Sequence, residues 1–211
     1  MNEFRPELKE AWEAYQSNDF DKAYWLLNNH ITSPDIELAN EAKKLNALIK
    51  FQSGNYSEAY PIFLEVSSSS NDVNDWFNVV TSSTLAGKIE ISENAFARIL
   101  KIHESTNYTQ TPPLPIIRQY YACALRDVQE YSKALTQLNE LTKIYEQLKI
   151  TDDTFLYMRG VPFLSHTTEV ALDVFNGMNE KVKGKEWLES FSQNVDDLGK
   201  EYLLSVTDKL K

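Results

Sequence analysis

Few side chains in this chain could carry chemistry. The histidines His30, His103 and His166 are scattered along the sequence, and His166 and Glu169, in His166-Thr167-Thr168-Glu169, place an imidazole and a carboxylate on one helical face. A zinc-type centre takes three or four ligands. No second pair of this kind lies nearby, so no metal site is expected. Cys123 is the one cysteine, which rules out an internal disulfide and leaves a cysteine-based zinc site without ligands. Set between Ala122 and Ala124, it reads as a small hydrophobe. A thiol nucleophile wants a histidine beside it, and the local sequence supplies none. A glycine-rich phosphate loop is missing, with only 6 glycines in all. Arg118 and Arg126 remain: they lie two helical turns apart and project near one face. Together with Cys123 they could hold an anion or an acidic peptide, or they pair with the surplus carboxylates. The expectation is therefore no enzyme and no cofactor, with a ligand-responsive regulator or enzyme using an anion site near Arg118 and Arg126 as the alternative.

Charge and hydropathy narrow the partners. The 211 residues carry 21 basic and 31 acidic side chains, a formal net charge of −10. Such a chain repels phosphate backbones, and no Lys/Arg cluster interleaved with aromatics occurs, so nucleic acid is not expected as a partner. No stretch approaches the roughly 18 consecutive apolar residues of a membrane helix. Met1-Asn2-Glu3-Phe4-Arg5-Pro6 has no apolar run of signal-peptide type. A cytoplasmic location is expected, with no membrane association.

The elements that would position any site follow from a repeat. An aromatic precedes an alanine by three residues at Phe20/Ala23, Tyr56/Ala59 and Tyr131/Ala134, and a second alanine stands twelve residues upstream at Ala11, Ala47 and Ala122. A weaker copy has Ser83 and Ala95 in the two small positions and Ser92 in place of the aromatic. The downstream small residues Ala23, Ala59, Ala95 and Ala134 are spaced 36, 36 and 39 apart, and Ala171 marks a degenerate fifth unit. Small residues allow two antiparallel helices to approach closely. Apolar spacing is helical, as in Ala23, Leu26, Leu27 and Ile31, or Leu135, Leu138, Leu141 and Tyr145.

With these small-residue pairs and the turn segments Asn18-Asp19-Phe20, Gly54-Asn55-Tyr56 and Gln129-Glu130-Tyr131, the chain resembles the tetratricopeptide repeat family from about Leu8 to Leu148. The resemblance implies an all-α fold, a right-handed α-α superhelix of helical hairpins with a C-terminal capping helix. The repeats would span about 7–36, 40–70, 73–106, 114–148 and a degenerate 152–177, within a region 1–180. Residues 181–211 would form the cap. From about Lys185 one long helix is expected, with Leu188, Phe191, Val195, Leu198, Tyr202 and Val206 along one stripe. That stripe covers the last repeat or pairs with a partner helix or a second copy of the chain, giving a homodimer. Breakers at 67–72, 109–115, Gly160-Val161-Pro162 and Asn176-Gly177 set the boundaries.

In such an array the first helix of each hairpin lines the inner face. The residues projected there are Leu8, Trp12 and Tyr15; Lys44, Leu48 and Phe51; Trp76, Phe77 and Thr81; and Gln119, Cys123 and Arg126. This groove is expected to grip a protein or peptide, as an adaptor, scaffold or partner-specific chaperone or immunity-type binder. Family members that hold the acidic C-termini of heat-shock chaperones use Lys, Asn and Arg at set positions. Here those places carry Leu8, Trp12 and Leu45, with Lys44 nearby, so tight binding of such tails is not expected.

Overall fold

Asn18, Gly54, Gly87, Gln129 and Asn179 adopt positive φ, between 56° and 76°. In each case the next residue donates its N–H to a carbonyl five positions back: Asp19 to Ala14, Asn55 to Lys50, Lys88 to Ser83, Glu130 to Leu125 and Glu180 to Phe175, all at 2.8–2.9 Å. This closure satisfies carbonyls that a helix end would otherwise leave bare. The chain reverses and a new helix starts at once. One turn geometry, used five times, makes five helical hairpins.

The structure is a computed structural model that describes residues 5–68, 70–106 and 111–210. Among the described residues there are twelve α-helices and no strand. They are α1 (Lys9–Gln16), α2 (Phe20–Leu27), α3 (Ile36–Gln52), α4 (Tyr56–Ser67), α5 (Val73–Leu85), α6 (Ile89–Ser105), α7 (Leu114–Asp127), α8 (Tyr131–Leu148), α9 (Asp153–Met158), α10 (Leu164–Gly177), α11 (Lys181–Ser192) and α12 (Asp197–Ser205). No helix among the described residues is long and apolar enough to cross a membrane. Ser69, Thr109 and Gln110, parts of two expected connectors, lie outside the described residues.

Aspartates start several of these helices. Asp19, Asp35, Asp72, Asp152 and Asp196 each accept a backbone N–H from the first turn of the helix that follows. A carboxylate there satisfies an orphan donor and meets the positive end of the helix dipole. Pro113 and Pro115 open α7, where a missing N–H costs nothing.

The chain divides into two compact units, residues 1–102 and 103–211. In the first, α1 packs on α2, α2 on α3, α3 on α4 and α4 on α5. Leu8, Ala11, Ala14, Ala23, Leu27, Leu38, Ala42, Leu45 and Ile49 form a core there. In the second, α7 packs on α8, and α10 packs on α7, α8 and α11, with α12 against α11. Its core holds Leu141, Tyr145, Leu156, Leu164, Phe175, Leu188, Phe191 and Leu203 among others.

The small positions sit five residues after each left-handed residue: Ala23, Ala59, Ser92, Ala134 and Gly184. The four with side chains are fully buried. A Cβ at Gly184 would stand 2.9 Å from Leu210 Cδ2 and 3.0 Å from Phe175 Cβ, so the fifth hairpin leaves no room for a side chain there.

Three expectations change here. In the third hairpin Ser92, expected in place of the aromatic, takes the small position instead of Ala95, and Ile89 stands where the first, second and fourth hairpins have their aromatic. Ser92 and Ala95 lie about one turn apart on one face, so spacing alone could not separate them. The fifth hairpin is α10 with α11, not the segment 152–177, and Ala171 lies on its first helix. The single C-terminal helix is two helices, α11 and α12. The break comes where Asp196 turns its carboxylate onto Gly199 N and back to Thr151. Of the expected stripe, Leu188, Phe191 and Val206 are buried, whereas Leu198 is exposed.

Candidate functional site

Two helices of the second unit, α7 and α10, present rows at the same helical spacing. Ile116, Gln119, Tyr120, Cys123 and Arg126 recur at three- and four-residue steps along α7. Phe163, His166, Glu169, Val170 and Asp173 do so along α10, counting Phe163 as its N-cap. Positions so spaced share one face. The two faces meet, with Tyr157, Val161 and Pro162 from the α9–α10 segment, around an open cavity of about 550 Å³.

Hydrogen bonds fix the two helices in register. Gln119 Nε2 donates to His166 O at 3.3 Å, and Arg126 Nη1 donates to Asp173 Oδ2 at 3.0 Å. Both pairs span the same sequence offset of 47, which requires the helices to run in parallel. Beneath the cavity a buried polar chain continues inward. Thr167 Oγ1 donates to Gln119 Oε1 at 2.8 Å and lies 2.8 Å from Tyr145 Oη, which donates to Pro162 O at 2.7 Å. Burial pushes the Tyr145 phenol well above its ordinary pKa, so it stays a neutral hydrogen-bonding group.

The cavity has an apolar floor and a charged rim. Arg126 is held on both sides: Nε and Nη2 donate to Asp127 Oδ1 at 3.0 and 2.8 Å, and Nη1 reaches Asp173. Glu169 is exposed and forms no ion pair among the described residues. Tyr120 is 56% exposed and Tyr157 76% exposed. Large aromatic rings left in water at the mouth of a cleft resemble interface anchors more than packing residues.

Cys123 lies half-buried in the wall, with Gln119 Nε2 3.8 Å from its sulfur. Burial pushes its pKa up, against the opposing pull of Arg126. The protonated thiol is favoured, which is the wrong direction for a nucleophile. No group of three or more His, Cys, Asp or Glu among the described residues could hold a metal ion.

The residues expected on an inner face fare differently. Gln119, Cys123 and Arg126 do come together in the cavity, although Gln119 is only 8% exposed and spends its amide on α10. Arg118 does not join Arg126: its Nη1 donates to Gln137 Oε1 on α8 at 2.7 Å, so the two-arginine anion site does not form. Their 80° difference in helical phase is enough to send them to different neighbours. Leu8 is fully buried, in the 3-10 turn just before α1, and belongs to the core that residues of α1, α2 and α3 form in the first unit. Trp12, Tyr15, Leu48, Phe51, Trp76 and Phe77 are half-buried. Trp12 donates Nε1 to Glu41 at 3.2 Å and meets Tyr15 edge-on at 5.8 Å, while Phe51 packs on Tyr56 at 5.2 Å. Trp76 donates Nε1 to Ser70 O. Lys44 is ion-paired with Asp75, and Thr81 is buried.

Sequence reasoning passed over Tyr120, Tyr157, Phe163 and Asp173. It did place His166 and Glu169 on one face, and both line the cavity. The available signal was the second row of three- and four-residue steps, from Phe163 to Asp173. Neither His30 nor His103 lines it. No protein-family model, curated protein or solved structure matches this chain.

Proposed function

We propose that this protein is an interaction module of tetratricopeptide type, in which stacked helical hairpins form a superhelical array, α12 caps its end, and the cleft between α7 and α10 grips a segment of another protein. The observation that carries this reading is the pair of exposed tyrosines, Tyr120 and Tyr157, at the mouth of a largely apolar cavity. Five hairpins closed by one turn geometry support the repeat assignment. A net charge of −10 disfavours nucleic acid as the partner. A single half-buried thiol, needing no disulfide, fits a reducing compartment.

The cleft suits an adaptor, a scaffold or a dedicated chaperone, since each needs a surface and none needs a reactive group. The test is comparative capture. Wild-type protein and the Tyr120→Ala/Tyr157→Ala double variant are immobilised side by side and exposed to extract of the source cells. The expected result is one or a few proteins retained by the wild type and lost from the variant. Identical retention on both would exclude the cleft.

A further inference from the structure

We infer that the α7–α10 cleft is selective for a basic peptide segment, in which a lysine or arginine is followed or preceded by a large apolar residue. The inference rests on the cleft being the binding site and adds the chemistry of its occupant.

The rim decides the sign of the charge. Among the described residues that line it, the guanidinium is that of Arg126, already neutralised by Asp127 and Asp173. Glu169 remains exposed on the same wall with no ion pair among the described residues. The carboxylates thus outnumber the cations. An acidic ligand would have to displace Asp127 or Asp173 from Arg126 and would then face Glu169. A cationic ligand finds a carboxylate already waiting.

The aromatics point the same way. Tyr120 on α7 and Tyr157 on α9 line the same cavity and are mostly in water. The face of a phenol ring attracts an ammonium or guanidinium group. A long basic side chain can lay its methylenes along such rings and place its charged head on the carboxylate. The apolar floor, with Val161, Pro162 and Val170, takes the neighbouring apolar side chain. Across the whole chain, a formal charge of −10 steers basic segments inward.

A randomised twelve-residue peptide library displayed on phage, selected against the full-length protein, tests this. Each enriched clone is then scored for loss of binding to the Tyr120→Ala/Tyr157→Ala variant. The expected result is a family of tyrosine-dependent clones that share a Lys or Arg beside a large apolar residue. A synthetic peptide from that family should bind Glu169→Gln about tenfold more weakly than wild type in fluorescence anisotropy. Replacing its basic residue by glutamine should give a similar loss, and the two losses should not add. Tyrosine-dependent clones with an acidic or uncharged consensus would overturn the charge selectivity while leaving the cleft as the binding site. A library that yields no tyrosine-dependent clone would overturn both.

Discussion

Thr167 on α10 and Gln119 on α7 share a hydrogen bond of 2.8 Å in a buried setting, and that bond ties the floor of the cleft to the core of the second unit. Thr167 also meets Tyr145 Oη, and Tyr145 reaches Pro162 O in the segment that leads into α10. The cleft wall is therefore positioned by side chains on three helices. A polar chain of this kind is stabilising when every member is satisfied and costly when one is removed.

Tyr145→Phe should accordingly destabilise the protein by about 1–3 kcal/mol, because it strands the buried Pro162 O that the phenol satisfies. Urea unfolding followed by circular dichroism measures this. A loss within error of zero would mean that the phenol oxygen contributes nothing to holding α10.

The left-handed turn residues give a prediction of opposite sign. Gln129 holds φ 63°, a conformation that disfavours a side chain. Gln129→Gly should stabilise by up to about 1 kcal/mol. Gly54, at φ 76° with no atom within 4 Å of an added Cβ, isolates the backbone effect, so Gly54→Ala should cost about 1 kcal/mol. Paired chemical denaturation curves decide, and equal midpoints for both variants would remove the turn from the energetics.

Close helix approach is tested at Gly184. A Cβ added there would stand 2.9 Å from Leu210 Cδ2 and 3.0 Å from Phe175 Cβ. Gly184→Val should therefore cost about 1–3 kcal/mol through overpacking, against its gain in helix propensity. Thermal unfolding of the variant should show a lowered midpoint; an unchanged one would show that α11 can slide away from α10 without penalty.

Asp196 should make stability depend on acid. Burial pushes its pKa up, but the donors Thr151 Oγ1, Thr151 N and Gly199 N outweigh that and hold it below the ordinary aspartate value. With the folded-state pKa depressed, the unfolded chain takes up the proton first as pH falls. The stabilisation is complete above the ordinary aspartate range, near pH 4, and is lost as pH drops from there towards the folded-state value. Asp196→Ala should cost about 1–2 kcal/mol at neutral pH and much less at low pH. A difference between wild type and variant that stays constant across the acid range would contradict this.

How much of this was legible in the sequence depends on which residue set the element. Ala11, Ala23, Ala47, Ala59, Ala122 and Ala134 announce close-packed helices, and all six are buried. In the third hairpin the sequence alone does not separate Ser92 from Ala95, because both are small and both are buried. The true marker was Gly87, whose φ of 71° fixes the turn. Gln129 and Asn179 adopt the same backbone without glycine; the turn at Gln129 is legible through the Tyr131/Ala134 pair that follows it, whereas Lys181 stands in the aromatic place after Asn179. Cys123 and Arg126 line one cavity because α7 is a regular helix and the three-residue step between them keeps both on one face. Leu8 and Arg118 were misplaced because burial depends on which neighbour covers a face, and helix phase does not contain that. Tyr157 was invisible for a related reason: it belongs to the short helix α9, where a full hairpin was expected.

The most direct measurement is site-specific photocrosslinking in cells of the source organism. A benzophenone side chain is placed at Ile116, which lines the cleft, or at Trp25, which is 75% exposed on α2. A discrete protein adduct should form from position 116 and vanish when Tyr120→Ala and Tyr157→Ala are added, with none from position 25. No adduct from position 116, or one from position 25 alone, would contradict binding at the α7–α10 cleft.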